Sequence, residues 1–241
     1  MSNVAERVTN GSIMTQTTFK DVTEGIGGAI LIGTHLILWP FLHSWRVRWG
    51  ATDEELKRIL VGDELVPQPK WSYTQAITIR ASAELAWPWL VQMGQGRGGF
   101  YSYEWLENLI GCDIHNADRI LTEFQSLKTG DGIKLHPQAP AYAVAIVEPC
   151  HAIVLHGDTR LGSVPVPASN SKSDYFASTW GFYLIPCDDG PTRLIARFRS
   201  DYNDKFANTL MYGPPLVEPI SCVMQRKMLL GIKHRVETAV R

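Results

Sequence analysis

The chain has 241 residues, with Lys+Arg 23 against Asp+Glu 24 and a formal net charge of −1. That balance leaves no basic surplus to meet a phosphate backbone, so a nucleic-acid partner is not expected. The four cysteines, Cys112, Cys150, Cys187 and Cys222, lie tens of residues apart with no C-x-x-C, a spacing poor for zinc and sparse for a disulfide framework. Free thiols in a reducing compartment are expected, with neither metal nor cofactor.

Residues 1–24 are polar and rich in Ser, Thr and Asn, and read as a disordered tail. Residues 25–45 (GIGGAILIGTHLILWPFLHSW) carry no Asp, Glu, Lys or Arg over about 21 positions, enough to span a bilayer. Trp39 and Trp45 stand near one end, with Arg46 and Arg48 just beyond. As a membrane anchor, this helix over 25–48 would leave the following domain in the cytoplasm, on the inner face of the membrane. The alternative, equally open here, is a helix that packs on the domain. No basic region precedes the run and no small-x-small site follows it, so a cleaved signal peptide is not expected. Residues 49–72 read as a linker and 73–241 as the main domain.

Residues 73–80 (YTQAITIR) alternate as a strand. Ser82 caps a helix running to about Met93, with Pro88 near its first turn and Gly94 as its stop. A second helix spans 102–110 and ends at Gly111. Short β-rich runs follow at 131–135, 142–147, 152–156, 178–185 and 193–200, the last two joined by a hairpin around Asp189-Gly190. A long helix closes the chain over 216–239. Ile220, Val223, Met224, Met228, Gly231 and Ile232 fall near one face of it.

Strand, two helices, a run of antiparallel strands and one long helix describe an α+β fold: a curved antiparallel sheet around a C-terminal helix, plus the N-terminal hydrophobic helix. Four motifs carry a resemblance: W-G-A-T-D-E-E from Trp49, G-D-E-L-V-P from Gly62, W-P-W-L-V-Q-M-G-Q-G-R-G-G-F-Y-S-Y from Trp87, and W-L-E-N-L-x-G-C-D-I-H-x-A-D-R-I from Trp105. Over about residues 49–237 the sequence resembles the SRPBCC superfamily, the START and Bet v 1-like helix-grip proteins that include polyketide cyclase-like members. The resemblance implies a deep cavity for a lipid, sterol or polyketide-like molecule. It also implies, as the alternative, a cyclase, aromatase or dehydratase acting in that cavity.

Residues 86–120 crowd three Trp, two Tyr and one Phe around a glycine-rich turn, a composition suited to a pocket wall. Candidate ligand-binding residues are Trp89, Arg97, Tyr101, Tyr103, Trp105 and His115, with His115 and Tyr103 as candidate acid/base groups for the enzyme reading. Arg97 reads as a solvated charge or as a guanidinium at a pocket mouth that pairs with a ligand carboxylate or with Asp113. Gly94-Gln95-Gly96-Arg97-Gly98-Gly99 matches G-x-G-x-x-G, but a helix precedes it and no parallel strand follows, so it is not a dinucleotide fingerprint. A flexible connection is expected instead. Asp113, His115 and Asp118 lack a second ligand cluster, and Cys112 with His115 sits too close in sequence for a dyad. Arg197 and Arg199 share one strand face, expected to be the outer one.

Overall fold

The computed structural model describes residues 19–161, 175–187 and 190–239, with only the backbone described at 39 and 40. Six strands form one antiparallel sheet in the order β1-β6-β5-β4-β3-β2: β1 (Trp71–Ile79), β2 (Gly132–Ile133), β3 (Tyr142–Glu148), β4 (Ala152–Asp158), β5 (Phe176–Pro186) and β6 (Thr192–Tyr202). The register shifts between Val144 and Ile146, where β3 bulges against β4, a device that bends a strand. The Pro186 pairing with Thr192 sets the β5–β6 hairpin, with Asp188 and Asp189 of its turn outside the described residues. The helices are α1 (Phe19–Ile37), α2 (Trp39–Arg46), α3 (Asp53–Lys57), α4 (Ala83–Val91), α5 (Glu104–Leu109), α6 (Phe206–Tyr212) and α7 (Val217–Ala239). A curved antiparallel sheet holding one long C-terminal helix is the helix-grip architecture.

Side-chain alternation sorts the sheet into two faces. The concave face sends Ile79, Leu194, Ala196, Phe182 and Leu184 against Met228, Leu229 and Ile232 of α7 and Leu90 of α4. The buried face of α7 is centred on Cys222, Gln225, Leu229, Ile232 and Val236, and Ile220 is exposed. Val223, Met228 and Ile232 of the expected stripe are buried, while Ile220, Met224 and Gly231 are less so, and the buried face extends instead to Gln225 and Leu229. Gln225 is buried because its amide donates to Ala196 O and accepts from Trp180 Nε1 at 2.8 Å. Pro88 lies inside α4 rather than in its first turn, and α4 is short.

The N-terminal apolar run is not one helix. Pro40 lacks the N–H that would continue the ladder, so the chain breaks at Leu38 between α1 and α2. No helix among the described residues is long and apolar enough to cross a membrane. α1 begins at Phe19, so residues 19–24 are helical and not disordered; residues 1–18 lie outside the described set. Glu24 pairs with Lys227 of α7 at 2.6 Å. Gly25 and Gly28 let α1 settle on α5: a Cβ on Gly25 would lie 2.5 Å from the Trp105 ring, and one on Gly28 2.9 Å from Tyr103. Ile26, Ile30, Ile37 and Phe41 remain exposed on the opposite side.

The stretch expected to be a linker is folded onto the convex face. Val47 O and Trp49 O accept from Thr74 N and Ala76 N at 2.8 and 3.0 Å, which covers the β1 edge. Gly50 is at φ +72, where an added Cβ would sit 2.1 Å from Ala76 O. Thr52 and Glu55 form a capping box on α3, accounting for the spacing in T-D-E-E. Arg193 binds Glu55, and Arg197 donates to Asp63 Oδ2 at 2.6 Å, Thr74 Oγ1 at 3.0 Å and the carbonyls of Arg58 and Glu55 at 2.8 Å. Arg199 donates to Val66 O. The β6 arginines do face the convex side, but Arg197 is buried beneath this cap.

Candidate functional site

The expected pocket wall around residues 86–120 is built mainly of structural fastenings. Gln92 is fully buried; its Nε2 donates to Tyr101 Oη at 2.9 Å and to Arg119 O at 3.1 Å, and its Oε1 accepts from Leu121 N at 2.8 Å. Tyr101 Oη then donates to Trp89 O at 3.1 Å, and the two rings meet edge-on with centroids 5.8 Å apart. The glycine loop is a locked turn, not a flexible connection. Gly94 and Gly99 form a bridge, Gly98 N donates to Gln92 O at 2.7 Å, and Asn116 Oδ1 accepts from the amides of Phe100 and Tyr101. Gly98 has no room for a Cβ, which would lie 2.8 Å from the Gln92 side chain.

Arg97 turns inward, away from both expected roles. Its guanidinium donates to the carbonyls of Met93, Val91 and Phe124 and lies over the Phe124 ring at 4.6 Å. His115 is about half exposed, with Glu104 and Asp113 carboxylates at 3.5 and 3.4 Å. Tyr103 and Trp105 form the seat of α1. Four of the candidates, Trp89, Tyr101, Tyr103 and Trp105, do come together along a groove of about 630 Å³ between α1, α5 and α7. Its walls also carry Lys20, Asp21, Glu24, Glu104, Asp118, Lys227, His234 and Arg235, which suits a wet surface better than an apolar guest. Arg97 and His115 are not on it. Among the described residues no three His, Cys, Asp or Glu are placed to hold a metal ion, and all four cysteines are free.

The space between the sheet and the α4 end of α7 is filled: the gap among Leu90, Met93, Phe100, Trp180 and Phe182 amounts to about 10 Å³. At the other end of the same concave trough α4 does not reach, and a cavity of about 350 Å³ opens. Trp71 of β1, Phe198 of β6, Phe176 of β5 and Tyr142 of β3 form its floor, and Tyr212 of α6 with Val217 and Ser221 of α7 form its roof. The connection before β3 contributes Leu135, Ala139 and Pro140. The aromatic walls are set by mutual packing: Phe198 lies 5.2 Å from Trp71 and 5.5 Å from Tyr73, and Phe176 stacks on Tyr212 at 4.3 Å. Trp71 Nε1 is satisfied by Tyr212 O at 2.8 Å.

The polar side chains lining this cavity, Tyr142, Thr159, Tyr212 and Ser221, carry hydroxyls, two of them fastened to groups behind the wall. Tyr142 Oη and Ser178 Oγ lie 3.0 Å apart, and Tyr73 shares a hydrogen bond with Ser221. Burial pushes both phenols above the usual tyrosine range, far for Tyr73. Tyr142, which lines the cavity, therefore stays neutral and can donate to a guest oxygen. These residues lie outside the aromatic-rich segment and outside the four motifs. The parity of β6 was the available signal: Phe198 shares the face of Leu194 and Ala196, and Trp71 and Tyr73 share that of Ile79. Tyr212 had no signal, since the seven residues of α6 are too few to show a period.

No protein-family model matches the chain, and no curated protein matches it. Solved structures with a similar course include MLL2253 from Mesorhizobium loti (16% identity, 65% of this chain and 98% of that one, TM-score 0.32). A conserved protein from Geobacillus kaustophilus is 12% identical over 70% of this chain and 97% of that one, TM-score 0.38. The Zhui aromatase/cyclase from Streptomyces sp. R1128 is 11% identical over 71% of this chain and 96% of that one, TM-score 0.29. Likeness this distant carries no inference about chemistry.

Proposed function

We propose that the protein binds a small apolar or amphipathic molecule in the aromatic cavity beneath α6 and the first turns of α7. The observation that carries this reading is the composition of the 350 Å³ cavity, whose walls are Trp71, Phe176, Phe198, Tyr142, Tyr212 and aliphatic side chains. Its volume is at the small end of the range for ligand sites. Removing apolar ligand area from water there stabilises the complex by about 25 cal/mol per Å², and the Tyr142–Ser178 pair offers a polar end a hydrogen-bonding partner. Delivery at a lipid interface belongs to the same reading. It is supported by the exposed Ile26, Ile30, Ile37 and Phe41, which suit a helix pair lying along a membrane rather than crossing it.

The enzyme alternative, a cyclase-type reaction in the cavity, has less support. No carboxylate, imidazole or thiol is among the described residues lining it, and general acid/base work at neutral pH needs a group tuned near that pH. Native mass spectrometry of full-length protein purified from its own host, followed by organic extraction, tests the reading. A co-purified apolar molecule that quenches Trp71 fluorescence on rebinding is expected. Protein that carries none, and shows no quenching across a series of saturated fatty acids and fused-ring aromatics, would sink it.

A further inference from the structure

We infer that the junction of α1, α2 and α7 is a binding site for one small monovalent anion, a halide or a short carboxylate. A cavity of about 120 Å³ lies there, lined by Leu31, His35, Trp45, Arg46, Gln75 and Arg226 among others. On this measure about 10–15 Å³ holds one water molecule, so the space admits a compact ion with part of its hydration shell.

The charges around it do not cancel. Glu218 and Arg46 are each about 1% exposed, and the Glu218 Oε1 accepts from Arg46 Nε at 3.1 Å and meets His43 Nδ1 at 3.0 Å. Glu24, the next nearest acid on α1, is taken by Lys227 at 2.6 Å. Among the described residues Arg226 has no carboxylate partner: its guanidinium lies 4.9 Å over the Trp49 ring, and its Nε is buried without a hydrogen-bond partner. Arg46 Nη1 has only long contacts, 3.4 Å to His35 O and 3.5 Å to His35 Nδ1. The Gln75 amide nitrogen points elsewhere, to Arg46 O and Cys222 O. Burial, then Arg46 and Arg226, hold His35 below the ordinary imidazole range, so the ring stays neutral and adds no charge. The sum is one surplus guanidinium beside a partly desolvated space, with two under-used N–H donors buried in its wall. A buried cationic donor without a partner is costly, and an anion accepting from both guanidiniums removes that cost. Because α1, α2 and α7 each contribute to the wall, the anion would clasp the N-terminal helix pair to the body of the protein.

Thermal unfolding of the full chain at constant ionic strength tests this. Sodium gluconate, too bulky for the cavity, is replaced stepwise by chloride, bromide or formate. A saturable rise in Tm of about 2–4 °C is expected, the shift that ~1 kcal/mol produces in a domain of this size. Arg226→Met should abolish it. Crystals soaked in bromide should show an anomalous peak in this cavity beside the Arg226 guanidinium; if Arg226→Met does not fold, this measurement decides alone. A Tm response to formate but not to bromide would assign the site to carboxylates within the same proposal. Equal Tm in all salts, an Arg226→Met response equal to wild type, or, where bromide does raise Tm, bromide ordered only elsewhere would overturn it.

Discussion

Gly231 of α7 lies directly against the backbone of Tyr101: a Cβ at 231 would stand 2.3 Å from the Tyr101 carbonyl oxygen. Tyr101 is itself at φ +58 and almost fully buried. The aromatic segment and the C-terminal helix thus meet backbone to side, with no room for a methyl group. Gly231→Ala gains about 1 kcal/mol of helix propensity, yet neither contacting backbone can yield cheaply. The overpacking is expected to prevail, with a net loss of about 1–2 kcal/mol measured by urea denaturation. An unchanged or raised midpoint would mean that α7 shifts freely on the Tyr101 loop.

Arg197 ties the convex cap to β6 through one ion pair and several carbonyls. Arg197→Met leaves Asp63 with the longer Arg199 contact at 3.6 Å and strands the carbonyls of Arg58 and Glu55. Breaking a buried pair in this way costs about 3–5 kcal/mol. Limited proteolysis should then cut within residues 50–68 before the sheet is attacked. Cleavage that begins in the sheet would show that the cap is held by its apolar contacts instead.

Phe198→Trp should fill the aromatic cavity without adding charge, since residue 198 is on its floor beside Trp71. Ligand retention is expected to fall at least tenfold, and Trp105→Phe, remote from that cavity, should leave it unchanged. Loss of binding in Trp105→Phe with retention in Phe198→Trp would move the site to the charged groove along α5.

Glu107 has the clearest pH signature. Burial first, and the nearby Glu104 second, raise its carboxyl from an ordinary 4.5 to about 7, and its Oε2 has no hydrogen-bond partner among the described residues. The folded state therefore holds this proton more tightly than the unfolded chain does. Below about pH 4.5 both states are protonated and the group is neutral in effect. Between 4.5 and about 7 the unfolded chain releases the proton first, so stability falls as pH rises, by an upper limit of about 3 kcal/mol. Glu107→Gln should remove that fall, leaving the variant more stable than wild type at pH 8. Stability profiles of the two proteins that stay parallel from pH 4.5 to 8 would disprove it.

The strand run and the long helix were legible because period two in 73–80, β-rich runs bounded by turn residues at 142–147 and 193–200, and period 3.6 in 216–239 are all local signals. The stop at Gly111 was equally local. The four motifs identified the fold without marking chemistry, since Gly50, Gly62, Gly98, Gln92 and Asn116 are used to fasten loops. What residues 25–45 do was decided only in three dimensions. An uncharged run fits a bilayer or a protein groove equally well, and the break before Pro40 with two glycines seated on Trp105 and Tyr103 shows it packed on the protein. The cavity was likewise a tertiary outcome. A void is a difference between volumes brought by separate elements, and α4 fills one end of the trough while Trp71, Tyr142, Phe198 and Tyr212, 141 positions apart along the chain from first to last, line the other. No local pattern records which end of the trough remains open.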